Sequence, residues 1–226
     1  MRKKGIVIAI DGPAGAGKST TAGLVAKTLG YVYLDTGAMY RAVGLAALQT
    51  AVPLDDGDAM SALAKGLLLD LIMVEGAQQT RLNGQDVSPF LRTPEVSLAA
   101  SNVAVHQGVR DVLVTKQQAI GREGGIVLEG RDTGTAIFPD AELKIFLVAD
   151  VEERARRRQL EMKGRGECMG LDLLVAQIRE RDERDAMTQR RFGPWPPSDA
   201  VLVDTTGLSV SEQVLQVVGL ARTRGA

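Results

Sequence analysis

Ile6-Val7-Ile8-Ala9-Ile10-Asp11-Gly12-Pro13-Ala14-Gly15-Ala16-Gly17-Lys18-Ser19-Thr20 decides the reading of this chain. Five apolar residues stop at Asp11, and Gly12 to Ser19 then fits G-x-x-x-x-G-K-[ST] in full. A segment of helical period, 17–29, follows, so the motif stands between a strand and a helix as its chemistry requires. Glycines let the backbone wrap closely round a phosphate, and successive N–H groups form an anion nest at the helix N-terminus. Lys18 reaches the β- and γ-phosphates, and the Ser19 hydroxyl completes a Mg²⁺ shell otherwise made of water and phosphate oxygens. The stretch therefore reads as a nucleoside-triphosphate cradle. Arg2, Lys3 and Lys4 ahead of the apolar run imitate a signal peptide, but the run is too short, and a β-strand is expected.

Outward from the cradle, short apolar runs recur at 6–10, 31–34, 126–128, 144–148 and 200–203. They are continuous rather than alternating, as expected of strands covered on both faces. Between them lie segments of helical period at 38–50, 94–106, 108–121, 150–163, 171–187 and 209–223. Asp150-x-x-Glu153 and Ser209-x-x-Glu212 are candidate capping boxes. The alternation predicts an α/β protein with a parallel five-stranded sheet flanked by helices. Residues 53–92 break the rhythm. A helix-like piece at 58–69, apolar runs at 71–74 and 80–82, and Asn83-Gly84, which suits a hairpin, predict a small α+β insert. The expected organisation is a core of 1–52 and 93–226 with the insert at 53–92. GPWPP at 193–197 is a stiff connector before the last strand.

Composition narrows the function. The 226 residues carry 27 Lys+Arg against 28 Asp+Glu, so no overall basic field calls for nucleic acid or an anionic membrane. Aromatics make up 4%, too few for base-stacking platforms. The longest charge-free stretch, 96–109, is short of a bilayer span. One cysteine, Cys168, and one histidine, His106, exclude a disulfide framework and a Cys/His zinc cage. His106 reads as a surface or helix-end residue, and Cys168 receives no role.

What is done with the triphosphate depends on the arginines. Leu34-Asp35-Thr36-Gly37 closes the second strand, with Tyr40-Arg41 in the following helix, and Gly130-Arg131-Asp132 closes the third. Ligands of open parallel sheets bind at the carboxyl ends of strands, so Arg41, Arg131 and Asp132 are expected beside the cradle, the two arginines as anion binders. Ten arginines fall between 154 and 191. Glu152–Arg156, Glu153–Arg157 and Arg157–Glu161 have ion-pair spacing on a solvated helix. Arg154, Arg157 and Arg158 nonetheless share a face, and Gly164, Gly166 and Gly170 follow, which suits a mobile arginine-rich lid at about 157–170. In the next helix the apolar stripe of Leu171, Leu174, Val175 and Ile178 would continue through 182 and 185. Asp182 and Asp185 stand there, and charge on that face marks a polar cleft. A phosphate monoester has a second pKa near 6 and is already a dianionic nucleophile, so the scarcity of histidine fits phosphoryl transfer to a phosphate.

IDGPAGAGKST, LDTGAMYRA, GQDVSPFLRTPEVSLAASNVA with Val109-Arg110, EGRDTGTAIFPDA, FLVADVEERARRR, IRERDERD and DAVLVDTT together resemble the bacterial cytidylate kinases, of the P-loop nucleoside monophosphate kinase group. The resemblance runs from the first strand to the last helix. It implies transfer of the γ-phosphoryl group of ATP to CMP or dCMP by a cytoplasmic monomer, with a Mg²⁺ ion on the donor phosphates and no protein ligand named beyond Ser19. Residues 53–92 become a monophosphate-binding insert. Gly12 to Thr20, Arg154 and Arg158 would bind ATP, and Lys18, Arg131, Arg157, Arg158 and Arg181 would serve catalysis. Thr36, Tyr40, Arg41 and Arg131 would hold the acceptor, its phosphate gripped by Arg41 and Arg131. Ser101, Arg110 and Asp132 would read the cytosine, and Arg181 and Asp185 the sugar. The family pattern has an arginine where this chain has Thr188, which leaves CMP-over-UMP selectivity open; Arg190 and Arg191 are the substitutes at hand. A broader pyrimidine kinase is the alternative within the class. EGRD stands where adenylate kinases carry DGFPR, and Ser101 and Arg110 argue against shikimate kinases. A GTP switch lacks its N-K-x-D reader, and a non-catalytic regulator would not keep Lys18, Arg41 and Arg131 intact.

Overall fold

The computed structural model describes residues 2–74, 77–164, 166–191 and 194–226. In chain order the elements are β1 (Val7–Asp11), α1 (Lys18–Leu29), β2 (Val32–Asp35), α2 (Thr36–Thr50), α3 (Gly57–Gly66), β3 (Leu69–Val74), β4 (Ala77–Leu82), β5 (Gln85–Asp86), α4 (Pro94–Val103), α5 (Gln107–Gly121), β6 (Ile126–Gly130), β7 (Leu143–Val148), α6 (Val151–Lys163), α7 (Leu171–Arg190), β8 (Val201–Asp204) and α8 (Val210–Thr223). One sheet has the order β2-β6-β1-β7-β8 and a second the order β3-β4-β5. The neighbours β1–β6, β1–β7 and β7–β8 are all parallel, so the α/β expectation holds.

The chain divides into two compact units, residues 1–33 with 123–226, and residues 34–122. In the first, every residue of β1 is buried, which is why its sequence is a continuous apolar run. Ile6, Ile8 and Ile10 pack with Ala22, Val25 and Ala26 of α1 and with Val217, Val218 and Ala221 of α8. Ala155, Met162, Leu174 and Ile178 give α6 and α7 a small core of their own, with Val151, Met169, Leu171 and Val175 at its margin. The second unit has its core between α2, α3, α4 and α5, around Met39, Val43, Met60, Val96, Val103 and Leu113. The residues read as an insert, 53–92, lie within it.

Several local expectations are refined. The helix expected at 58–69 ends at Gly66; Leu67 is extended and β3 begins at Leu69, because the apolar run that follows pairs with β4. Asn83 and Gly84 both have positive φ, 50° and 83°, and join β4 to β5, as a primed turn demands. The helix read as 94–106 stops at Val103, and His106 caps α5 with its backbone while its Nε2 lies 2.7 Å from the Leu54 carbonyl. Ser209 and Glu212 form the reciprocal capping box. The box expected at Asp150 does not form: Asp150 caps α6 with its backbone alone, and Glu153 is taken by Arg157 at 3.0 Å. Glu161 likewise pairs with Arg158 at 3.2 Å, in place of the expected Arg157. Arg165, and Gly193 of the GPWPP connector, lie outside the described residues.

Candidate active site

The cradle forms where β1 ends. Gly12, Gly15 and Gly17 have φ of 148°, 76° and 91°, and a Cβ on Gly12 would stand 2.2 Å from the Leu147 carbonyl oxygen. No other residue fits that position. Gly17 ends the loop as the N-cap of α1 with no side-chain cap, which leaves the first amides of the helix for an anion.

Lys18 is buried and donates from Nζ to the Pro13 carbonyl oxygen at 2.8 Å. Burial drives its pKa down from 10.5 to about 7; the charges of Arg131 and Arg181 add to this, and those of Glu129 and Asp185 oppose it. An arriving polyphosphate would reverse that balance and restore the proton, so the site is electrostatically incomplete without an anion. Ser19 donates to Glu129 Oε1 at 2.6 Å, and the Tyr33 hydroxyl lies 3.3 Å from the same oxygen. Glu129 was not singled out from the sequence. The signal was available: it is a carboxylate inside the buried run Ile126–Gly130.

Arg131 donates from Nε to Asp185 Oδ2 at 2.9 Å, and Arg181 Nε stands 3.8 Å from the same oxygen. Burial works against the Arg131 charge, but Asp185 outweighs it and the guanidinium is held more firmly protonated. Burial likewise opposes the Asp185 carboxylate, and Arg131 and Arg181 overcome that and lower its pKa. Asp132 is buried beside them. The broken stripe of α7 is thus a charged face: one turn earlier, Asp182 meets Arg154 at 2.7 Å.

The three arginines expected to act together diverge. Arg154 is buried, with its donors on the Ala149 and Ala14 carbonyls and on Asp182, so it braces the cradle. Arg157 reaches the Thr205 hydroxyl and carbonyl, at 3.2 and 2.7 Å, and that hydroxyl lies 3.2 Å from the Ala16 carbonyl. Arg158 points to Glu161 and is the most exposed of the three. Packing against the strand ends, which helix periodicity does not encode, separates them. A cavity of about 450 Å³ beside the cradle is lined by Pro13, Phe146, Val148, Met187, Arg190 and Trp195, among others. Arg190 therefore lines this cavity, whereas Thr188 is half-buried one turn after Asp185.

The other expected residues belong to the second unit. Asp35 caps α2 by accepting from the Ala38 amide at 3.0 Å, and its second oxygen holds Arg41 at 2.6 Å. Thr36 and Arg110 are buried, Tyr40 is half-buried, and Ser101 donates to the Ser97 carbonyl within α4 at 3.3 Å.

Among the described residues no group of three or more histidine, cysteine or carboxylate side chains could hold a metal ion. Ser19 and Glu129 nevertheless place two hard oxygen donors together at the cradle, a set that suits a cation shared with phosphate oxygens.

A parallel sheet with this cradle at the end of its central strand and Arg131 at the end of the neighbouring strand defines a P-loop phosphotransferase. Solved structures agree on the fold: a shikimate kinase from Acinetobacter baumannii superposes with a TM-score of 0.50 at 14% identity, covering 98% of this chain and 95% of that one. The cytidylate kinase family model matches residues 8–223. Cytidylate kinases of Geobacter sulfurreducens and Bacillus thuringiensis are 43% and 46% identical, over 98% and 96% of this chain and 95% and 96% of their own. A bifunctional pantoate ligase/cytidylate kinase of a Synechococcus strain is 50% identical over 96% of this chain, which spans 40% of that longer protein. The chain belongs to the cytidylate kinase family.

Proposed function

We propose that the chain transfers the γ-phosphoryl group of ATP to CMP or dCMP, giving ADP and CDP or dCDP. The observation that carries this is the buried Lys18, held by the Pro13 carbonyl within the charge fields of Arg131 and Asp185, which are themselves paired. An oxygen of the acceptor phosphate attacks the γ-phosphorus, the bond to the β,γ-bridging oxygen breaks, and ADP leaves. Above pH 6 the acceptor is already dianionic and needs no general base.

The residues position and neutralise. Gly12 to Thr20 wrap the donor phosphates, and Lys18 exchanges the Pro13 carbonyl for them. Arg131 and Arg41 grip the acceptor phosphate, and Arg181 lies over the group in transfer. Arg157 and Arg158 close with the 157–170 segment, while Arg154 supports the ATP side by holding the Ala14 carbonyl. Thr36, Tyr40, Ser101, Arg110, Asp132 and Asp185 take the sugar and the cytosine edge, and 53–92 is the acceptor-binding insert. Ser19 and Glu129 would hold a Mg²⁺ ion, which supplies charge neutralisation on the donor phosphates. No described helix is long and apolar enough to cross a membrane. A cytoplasmic monomer, with nucleotides as its only required partners, fits this reading.

An ADP-release assay with Mg²⁺–ATP against CMP, dCMP, UMP, AMP and GMP tests it. Strong turnover with CMP and dCMP, weak with UMP and none with purines is expected. Comparable UMP turnover would identify a broader pyrimidine kinase, the alternative that Thr188 leaves open.

A further inference from the structure

Asp11 is fully buried at the end of β1, immediately before Gly12, and lies outside the roles assigned above. Its carboxylate accepts three hydrogen bonds, all at 2.9 Å. Oδ1 takes the Thr133 amide and hydroxyl, and Oδ2 takes the Gly134 amide. Those amides open a wide helical turn, Thr133–Ile137, that begins directly after Arg131 and Asp132. β1 and β6 run parallel, with Asp11 opposite Gly130 as their last partners. Beyond that pair the strands share no ladder. One side chain therefore fixes where the chain goes next, and with it Arg131 and Asp132.

The local charges show that this link is made against resistance. Burial raises the Asp11 pKa from 3.8 to about 6, partly offset by the Gly134 and Thr133 amides, and the nearby Asp132 carboxylate adds to the rise. On the adjoining strand Lys144 turns its ammonium to Asp199, 2.6 Å away, and presents only its methylenes to Gly134, where a Cβ would stand 3.1 Å from Cδ. Among the described residues no side-chain ion pair is made to Asp11; its hydrogen bonds come from the turn's own donors, and its charge helps to keep the Arg131 guanidinium protonated. A buried carboxylate kept under those conditions is a costly way to close a turn that a neutral residue could close.

We infer that Asp11 is a positioning residue for the acceptor, holding the Arg131–Asp132 pair in register with the ATP cradle through the Thr133 and Gly134 amides. This rests on the assignment of Arg131 and Asp132 to the acceptor. It separates two parts of the reaction that share β1: Gly12 onward serves the donor, and Asp11 serves the acceptor one residue earlier.

Steady-state kinetics of Asp11→Asn, Thr133→Val, Thr133→Ser and Arg131→Ala, with CMP and ATP varied separately, test the link. Asparagine keeps the shape but sets an NH₂ group against an N–H donor. Loss of a hydrogen bond to a charged group predicts a KM for CMP raised about tenfold or more, with the KM for ATP changed less than about twofold. Thr133→Val should move the KM for CMP the same way by less, and Thr133→Ser, which keeps the hydroxyl, should restore it. Equal changes in both KM values, or none, would overturn the inference. If Arg131→Ala raises the KM for CMP and Asp11→Asn does not, only the positioning role fails. If Arg131→Ala leaves it unchanged, the acceptor assignment fails and the inference with it. Should Asp11→Asn not fold, as judged by circular dichroism, the valine–serine contrast at position 133 decides.

Discussion

Lys18 is legible in the sequence as a phosphate ligand, but its state without ligand is not. Six residues from three segments, Pro13, Glu129, Arg131, Arg181, Asp185 and Lys18 itself, set it. A buried ammonium whose pKa falls to about 7 weakens the fold wherever it must be charged. Lys18→Met should accordingly reduce turnover by several orders of magnitude while leaving the ligand-free protein more resistant to urea at pH 7. A variant that is both inactive and less stable would contradict this. Arg131 and Asp185 show the same division: the strand-end position of the arginine is readable, and its partner 54 residues away is visible only as a break in an apolar stripe. Asp11 and Glu129 went unread as functional groups because a carboxylate within or at the end of a buried strand has no motif of its own.

At the scale of elements, the strands and most helices were readable because their patterns are local. Continuous apolar runs gave five strands, of which β1, β6 and β7 are buried while the edge strands β2 and β8 leave Val32 and Leu202 exposed, and Asn83-Gly84 gave its hairpin turn. The errors share a cause. The box expected at Asp150 and Glu153 does not close, because Arg157 claims Glu153; the helix at 58–69 yields its last residues to a strand because β4 is there to pair with them. Glycines illustrate how context sets sign. In α2, a Cβ on Gly44 would meet the Ala100 amide at 3.0 Å and Ala99 Cβ at 3.1 Å, where α4 packs against it. Gly44→Val should cost about 1–3 kcal/mol. In α1, Gly23 has nothing within 4 Å of the same atom, and Gly23→Ala should stabilise by about 0.4–1 kcal/mol. Urea unfolding of the two variants checks both signs.

For the whole molecule, two buried groups shape stability against pH in an unusual way. Asp11 has a folded pKa of about 6 against 3.8, so its favourable contribution is complete below pH 3.8 and lost as pH rises through 6. Lys18 has a folded pKa of about 7 against 10.5, so its contribution is complete above pH 10.5 and lost as pH falls through 7. Both are therefore at their least favourable between pH 6 and 7, where the kinase must also have its acceptor dianionic. The stability difference between Lys18→Met and the wild type, measured by urea unfolding, should shrink steadily from pH 7 to pH 10. A constant difference would place the Lys18 proton elsewhere.

The sequence by itself determined the α/β class, the cradle, the strand-end arginines and, through long family-specific blocks, the cytidylate kinase family. Those properties live in local periodicity or in contiguous residues whose backbone chemistry is fixed by their order. Only the tertiary structure decided that Arg154 braces the cradle while Arg157 turns to Thr205, that Glu129 meets Ser19, and that Asp11 holds the turn behind Arg131. Each of these joins groups far apart in the chain, and the parallel sheet brings them together by stacking strand ends whose spacing in sequence is set by the helices between them.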